Sequence, residues 1–425
     1  MQKILLGNYN LILTGAPGTG KTYLAKEIAK AMDACVELVQ FHPSYDYTDF
    51  VEGLRPSKYS ESDEVTFTRK DGVFKAFCAK AFRNLEDSRK TEGEINEEAR
   101  FKDAYDDLID KIREGAVSEI PLKSHAMKME IVDVSNNNNI RLKAKESLSG
   151  TIYTVSYERL RMLSLAYKDV EALDSLPNID IAVRNEIGGC NTSAYWAMLR
   201  FLYSEFLKKD SARQEVKIIK RKNFVFIIDE INRGEISKIF GELFYSIDGG
   251  YRGRKGSIKT QYQNLVEVDD VFAEGFFVPE NVYIIGTMND IDRSVESIDF
   301  AMRRRFAWKE ITAESRQSML DDENAWDGRK PSPEVIDEVK ARMNNLNACI
   351  VDRYASEELA AKDKIGLAKA YQIGASYFLK LAMYENNFED LWTNHIEGLL
   401  YEYLRGTPNI ETKMRRLKNA YNTPY

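Results

Sequence analysis

Eight consecutive residues, Gly15-Ala16-Pro17-Gly18-Thr19-Gly20-Lys21-Thr22, satisfy G-x-x-x-x-G-K-[ST] at every position. The pattern describes a loop that cradles phosphate. Glycines let backbone N–H groups converge on phosphate oxygens without obstruction by Cβ, and a helix starting near Lys21 would aim its positive dipole end at the same anion. Lys21 is expected to neutralise β/γ-phosphate charge and Thr22 to ligate Mg²⁺. Farther along, Phe224-Val225-Phe226-Ile227-Ile228-Asp229-Glu230 is an apolar run ending in two carboxylates. Asp229 suits the hydration shell of Mg²⁺, and Glu230 is placed to polarise an attacking water as general base. Asn289 follows the apolar segment 282–285 and a short Gly286-Thr287-Met288 turn. Its amide is suited to orient water against a terminal phosphate. Arg303-Arg304-Arg305 precedes Phe306. Three adjacent guanidiniums are either a solvated basic face or arginines offered to a neighbouring copy's γ-phosphate, which contributes about 10³–10⁵ in rate and requires an oligomer.

These residues need a scaffold that brings distant segments to one edge. Residues 10–13 read as a buried strand, 21–32 as a helix and 35–40 as a second strand, followed by the aromatic, turn-rich stretch 41–56. Helical text runs over 72–85, and 86–100 is a charged helix or linker. Residues 88–218 read as an insertion with a charged helix (101–113) and β-like stretches at 129–134, 140–145 and 151–157; it ends in a helix over 193–207. It is either a small appendage packed on the core or a partner- or DNA-contacting module. The run 224–228 is too continuously apolar for a half-exposed strand and suits the centre of a parallel sheet, as does 282–285. From Thr312 onward only helical periodicity is evident, as in 333–351 and 377–384. The predicted fold class is therefore α/β: an αβα sandwich on a parallel central sheet, an inserted α+β domain and a C-terminal helical lid. The expected boundaries are 1–87 and 219–311 for the core, 88–218 for the insertion and 312–425 for the lid.

The chain has 425 residues, enough for two or three domains, with 30% charged and 44% hydrophobic residues, the balance of an ordinary globular protein. A net charge of −7 argues against general adhesion to nucleic acid or anionic membrane, though not against a local basic patch. Cys35, Cys78, Cys190 and Cys349 lie far apart, so neither a disulfide framework nor a zinc site is expected. No apolar run is long enough to cross a bilayer, and Asn8, Tyr9 and Asn10 interrupt the short apolar N-terminal stretch; a cytoplasmic location is expected. The basic run Arg252-Gly253-Arg254-Lys255-Gly256 with Lys259 reads as a turn between strands, either a solvated hairpin tip or a contact to a pore or partner.

Four segments together carry a family resemblance. Residues 40–53, QFHPSYDYTDFVEG, resemble the F-H-P-S-Y-x-Y-x-D-F-x-E-G stretch of McrB-type AAA+ proteins. Residues 227–233, IIDEINR, continued by SKIFGE at 237–242, resemble that family's extended Walker B segment, and MNDIDRS at 288–294 its M-N-x-x-D-R-S signature. Residues 372–378, QIGASYF, look like its lid motif, near where other AAA+ proteins keep a sensor II arginine. The resemblance covers core and lid and matches the insertion only loosely. It implies a hexameric ring that uses GTP rather than ATP with Mg²⁺, stimulated by a nuclease subunit of the McrC kind that cuts DNA carrying modified cytosine. Asn289 would be the sensor I residue. Asn232 would help place the attacking water, Asp292 and Arg293 would act at the subunit interface, and Arg304 and Arg305 would be the trans-acting arginines. Relatives that bind modified bases carry a DNA-reading domain before the phosphate loop. Here the loop begins at Gly15, so a reader is absent, replaced, on another chain, or removed. No nuclease cluster of Asp, Glu and Lys is recognisable. Two other readings use the same motifs: a MoxR-like or dynein-related ATP-driven protein remodeller, and a nucleotide-binding ring scaffold without turnover.

Overall fold

The computed structural model describes every residue except 57–66, 124–126, 136–137, 146–150, 190, 208–218, 268–269, 292–299, 358 and 424–425. The chain forms two compact units: Met1–Phe82, Lys222–Gln261 and Phe276–Tyr425 make the first, Arg83–Arg221 with Tyr262–Gly275 the second.

The first unit is built on five parallel strands: β1 (Asn10–Gly15), β2 (Cys35–Gln40), β3 (Phe224–Asp229), β4 (Val282–Asn289) and β5 (Ala307–Glu310). Their order is β5-β1-β4-β3-β2. The continuous apolar runs have a simple cause: β1, β3 and β4 are interior strands, and Leu11, Ile12, Leu13, Val225 through Ile228, Ile284 and Ile285 are all fully buried. The edge strand β2 alternates half-buried and exposed residues instead. Helix α1 (Lys21–Ala31) follows the phosphate-type loop and buries Ala25, Ile28 and Ala29 against the sheet. β5 pairs in parallel with β1, Leu11 opposite Ala307. The sequence reading gives no strand there, because the strand has four residues, of which Lys309 and Glu310 are exposed.

The aromatic stretch after β2 is packing material. Phe50 stacks on Phe74 with centroids 4.8 Å apart, and both meet the β3 residue Phe226 edge to face. Tyr47 donates its hydroxyl hydrogen to Glu242 at 2.6 Å, which ties the stretch to the segment after β3. Strands Glu52–Pro56 and Phe67–Asp71 form an antiparallel pair, the first of them within the stretch read as aromatic and turn-rich. Its root holds a buried ion pair: Lys75 Nζ lies 2.5 Å from Glu52 Oε2, both side chains fully buried, with Arg69 3.1 Å from the same oxygen.

Beyond β5 the described residues contain no strand. The long helix Pro333–Ile350 packs on Ile410–Asn422, and Trp326, Trp392 and Tyr421 are buried in the core they share. The expected helix over 377–384 is two pieces, the turn Ala375–Phe378 and the 3₁₀ segment Leu379–Tyr384.

The second unit places a four-stranded antiparallel sheet, in sequence order from Glu119–Pro121 to Ile152–Val155, against helices. Its longest helix, Glu92–Arg113, starts at a capping box in which Thr91 and Glu94 satisfy each other's backbone. Trp196, in the helix Thr192–Glu205, is buried and donates its indole N–H to the Leu173 carbonyl at 3.0 Å. No helix among the described residues is long and apolar enough to cross a membrane.

The Glu52–Lys75 pair has a measurable consequence. Lys75→Met is expected to cost up to about 3–5 kcal/mol because it takes a buried cation from the Glu52 carboxylate and leaves Arg69 beside it, while Glu52→Gln with Lys75→Met together should cost much less. Denaturant midpoints read the difference. Equal losses from single and double variants would assign the effect to packing rather than charge.

Candidate active site

Parallel strands end on the same edge of a sheet, so the loops after β1, β3 and β4 converge. There they line a cavity of about 320 Å³ whose walls include Gly18, Lys21, Thr22, Asp229, Glu230 and Asn289. Residues nearly 270 positions apart in sequence meet here: Lys21 donates to Asn289 Oδ1 at 2.8 Å.

The loop is shaped by its own contacts. Lys21, buried at 7% exposure, also donates to the carbonyls of Gly15 at 3.0 Å and Ala16 at 2.9 Å. Thr19 is fully buried and braces the turn by donating to the Ala16 carbonyl at 2.9 Å. Gly18 has φ +74°, and a Cβ there would sit 2.5 Å from the Tyr377 ring, so a side chain is excluded by conformation and by space. Pro17, Gly18, Gly20, Lys21 and Thr22 line the cavity, while Gly15, Ala16 and Thr19 support it from behind.

Asp229 Oδ1 accepts from the hydroxyls of Thr22 and Thr287, each at 2.6 Å. A carboxylate and hydroxyl oxygens in direct contact form a hard donor set of the kind Mg²⁺ takes, so Thr22 and Asp229 fit as its ligands. When bound, the ion would neutralise charge that develops on phosphate oxygens. Thr287 is an addition that sequence reading missed; its position two residues before Asn289 on β4 was the available signal.

Glu230 sits at φ +52°, a left-handed conformation that costs a non-glycine residue about 1–2 kcal/mol. Such strain at a strand end is characteristic of functional residues. The turn points its carboxylate at Asn289, whose Nδ2 donates to Glu230 Oε1 at 2.5 Å, and Arg233 Nε lies 3.4 Å from Oε2. The orientation of the Asn289 amide is fixed by chemistry: the ammonium of Lys21 only donates and an ionised carboxylate only accepts. Asn289 thus bridges the phosphate-side cation to the candidate base. The next residue, Asp290, has its carboxyl pushed up by burial, with Lys21 opposing the shift.

Asn232 is buried in the turn after Glu230 with no partner for its Oδ1, but it is not among the cavity-lining residues. Asp292 and Arg293 lie outside the described residues. The arginine run separates into three environments. Arg303 stacks on Trp308, 5.0 Å from the ring centroid. Arg304 is exposed. Arg305 is turned inward at 11% side-chain exposure, donating to the Ala301 carbonyl at 2.7 Å and lying over Phe244. Of the two arginines expected to reach a neighbour, only Arg304 is presented outward. The basic run after β3 is likewise corrected. Arg252 is fully buried, Arg254 lies over Phe82 and Phe277, and the segment is a pair of 3₁₀ turns rather than a hairpin tip.

The lid closes the cavity from the other side. The Gly374 N–H donates to the Pro17 carbonyl and the Ser376 N–H to the Gly18 carbonyl, each at 3.0 Å, and Ser376 and Tyr377 line the wall. A Cβ on Gly374 would fall 2.1 Å from the Gly18 carbonyl carbon. The QIGASYF segment is therefore a main-chain seat for the loop, with no arginine among the lining residues. Tyr23 adds a second aromatic wall; its phenol is pushed up chiefly by the hydrogen bond it donates to Asp322 at 2.9 Å.

A parallel sheet with the phosphate loop after β1, Asp-Glu after β3 and an asparagine after β4 defines a P-loop nucleoside triphosphatase core. The model of the AAA domain, dynein-related subfamily, matches residues 10–98 and 185–306. Over 419 residues, 95% of this chain, the sequence is 25% identical to the EcoKMcrB subunit of the type IV methyl-directed restriction enzyme of Escherichia coli (strain K12). It is also 29% identical over 111 residues, 25% of the chain, to the component YdiS of the type II restriction enzyme BsuMI of Bacillus subtilis (strain 168). The chain spans 56% of the length of the first relative and 32% of the second. It belongs with the McrB-type AAA+ proteins.

The bridge from Lys21 through Asn289 to Glu230 predicts separable losses. Lys21→Ala is expected to abolish tight nucleotide binding, measured by titration of a fluorescent nucleotide. Glu230→Gln should retain binding but lower phosphate release about 10²–10⁴-fold, the usual contribution of a positioned general base. Retained turnover in Glu230→Gln would remove that residue from the base role.

Proposed function

We propose that this chain is the motor of a modification-dependent restriction system: a Mg²⁺-dependent nucleoside triphosphatase that prefers GTP, assembles as a hexameric ring in the cytoplasm and drives a McrC-like nuclease subunit that cuts modified DNA. One observation carries the reading. Three of the four segments that carry the McrB-type resemblance contribute residues to the cavity wall, and the fourth packs behind a strand that leads to it. QIGASYF seats the phosphate loop, IIDEINR holds the base, and the F-H-P-S-Y stretch packs behind β3 through Phe50 and Phe226. Similarity to a restriction-enzyme subunit over 95% of the chain supports the same reading.

In this mechanism the loop and Lys21 bind the triphosphate, and Thr22 and Asp229 hold Mg²⁺. Glu230 accepts a proton from the attacking water, oriented by Asn289 and helped by Asn232. Arg304 of the adjacent copy stabilises charge on the γ-phosphate, and Asp292 and Arg293 act at the same interface. Arg305, expected from the resemblance to share the trans role, is assigned instead to holding the run in place. DNA is met through the partner or a separate reader. The match to a dynein-related AAA model favours one alternative, an ATP-driven protein remodeller.

Thermal stabilisation by slowly hydrolysed GTP and ATP analogues with Mg²⁺ separates the two, since a ligand at a hundredfold excess over Kd adds about 2.7 kcal/mol. Selective stabilisation by the GTP analogue is expected; selective stabilisation by the ATP analogue would move the assignment to the remodeller. Arg304→Ala should keep that stabilisation and lose at least ~10² in hydrolysis, a fraction of a trans arginine's usual effect. Arg305→Ala should instead lower the melting temperature of the nucleotide-free protein, and full stability in that variant would contradict its inward role.

A further inference from the structure

Far from the cavity, at the opposite end of β1, lies a polar cluster that the reaction does not use. Asn10 is fully buried and engages three groups. Its Nδ2 donates to the Ile247 carbonyl at 2.8 Å and to the Arg305 carbonyl at 2.9 Å, and its Oδ1 accepts from Arg252 at 2.6 Å. Arg252 is itself 1% exposed, and its Nε and one terminal nitrogen have no hydrogen-bond partner. Its guanidinium lies 5.3 Å from the centroid of the Tyr9 ring. Burial depresses its pKa to about 10.

A buried cation whose hydrogen-bond partner is a neutral amide is costly. An apolar side chain would fill the same space without that penalty, so packing alone does not account for it. Its effect on Asn10 does. A guanidinium bound to the amide oxygen polarises the amide and strengthens both N–H donors on its far side. One of those donors grips the main chain of the arginine run. Other contacts hold the run as well, the Arg305 side chain on the Ala301 carbonyl and the Trp308 indole on the Arg303 carbonyl, but Asn10 holds the Arg305 carbonyl itself. Arg304 and Arg305 form the turn between the helical turn Phe300–Arg303 and β5, whose Ala307 pairs with Leu11. Asn10 is thus the link between the first residue of β1 and the residue after Arg304.

We propose that Asn10, polarised by Arg252, is a positioning residue for Arg304, fixing the turn from which that arginine reaches the adjacent copy's nucleotide. The proposal rests on the trans-arginine reading above. Asn10 touches no part of its own protomer's cavity. Its loss therefore damages the neighbour's site and spares its own, which a general folding defect does not do.

Mixed assemblies test this. Asn10→Ala is expected to keep nucleotide-dependent thermal stabilisation while its basal NTP hydrolysis falls about tenfold or more, part of the ~10³–10⁵ of a trans arginine. Glu230→Gln is inert at its own site but offers an intact Arg304. Mixing the two should restore hydrolysis, because Asn10→Ala subunits then receive a well-placed arginine from Glu230→Gln neighbours. Arg304→Ala mixed with Glu230→Gln is the control. Recovery in the control without recovery in the Asn10→Ala mixture overturns the positioning role. Failure of the control overturns the trans-arginine reading and this proposal with it. If Asn10→Ala is not stabilised by nucleotide, Asn10→Asp, which keeps the acceptor for Arg252 and loses both donors, is read the same way. Unreduced hydrolysis in the folded variant also refutes the proposal.

Discussion

The ammonium of Lys21 is the charge around which the catalytic edge is organised. Buried and held by two loop carbonyls and the Asn289 side chain, it cannot move without releasing all three. The loop conformation, the ends of β1 and β4, and the direction of the Asn289 amide are therefore one arrangement. Because Asn289 must turn its oxygen to Lys21, its N–H faces Glu230, and the strained backbone of Glu230 is met by a partner at 2.5 Å. The acidic half of the site is built the same way: Asp229 gathers two hydroxyls, one from the first turn of α1 and one from β4, so the groups suited to hold a cation are set by the sheet and the helix that follows its first strand.

How much of this was legible in the sequence follows from the range of the interactions. The interior strands were plain, since a strand buried on both faces must be apolar throughout. Lys21, Thr22, Asp229, Glu230 and Asn289 announce themselves by type and by position at strand ends. What escaped were features set by distant partners. Nothing in Arg252-Gly253-Arg254-Lys255 signals burial; Asn10, 242 residues away, supplies the hydrogen bond that accompanies it. Adjacent arginines look equivalent in sequence, yet one stacks on Trp308, one is exposed and one is turned inward. The hairpin beside Glu52 escaped because its strands are mostly polar and exposed, and its root is anchored by a buried ion pair rather than an apolar run. Thr91-x-x-Glu94 is a helix-start signature that joins residues 92–100 of the charged stretch, expected as helix or linker, to the helix expected over 101–113: together they are the helix Glu92–Arg113.

The two units divide the labour visibly. All residues that line the cavity belong to the first, on strands and loops that converge by topology. The second has its own buried core around Trp196 and Leu199. Among the described residues neither unit gathers a cluster of three or more His, Cys, Asp and Glu that could hold a metal ion.

The seat between lid and loop is made of main chain. Two N–H groups of the lid segment meet two carbonyls of the loop, with glycine on both sides because no side chain fits. Contacts of this kind carry no side-chain identity. The grip of lid on loop is thus insulated from substitution nearly everywhere else in the helical region, whose surface is free to drift toward new neighbours. Gly18 and Gly374 act as a matched pair of blanks: either one filled in would hold the lid away from the loop, whatever the rest of the chain had become.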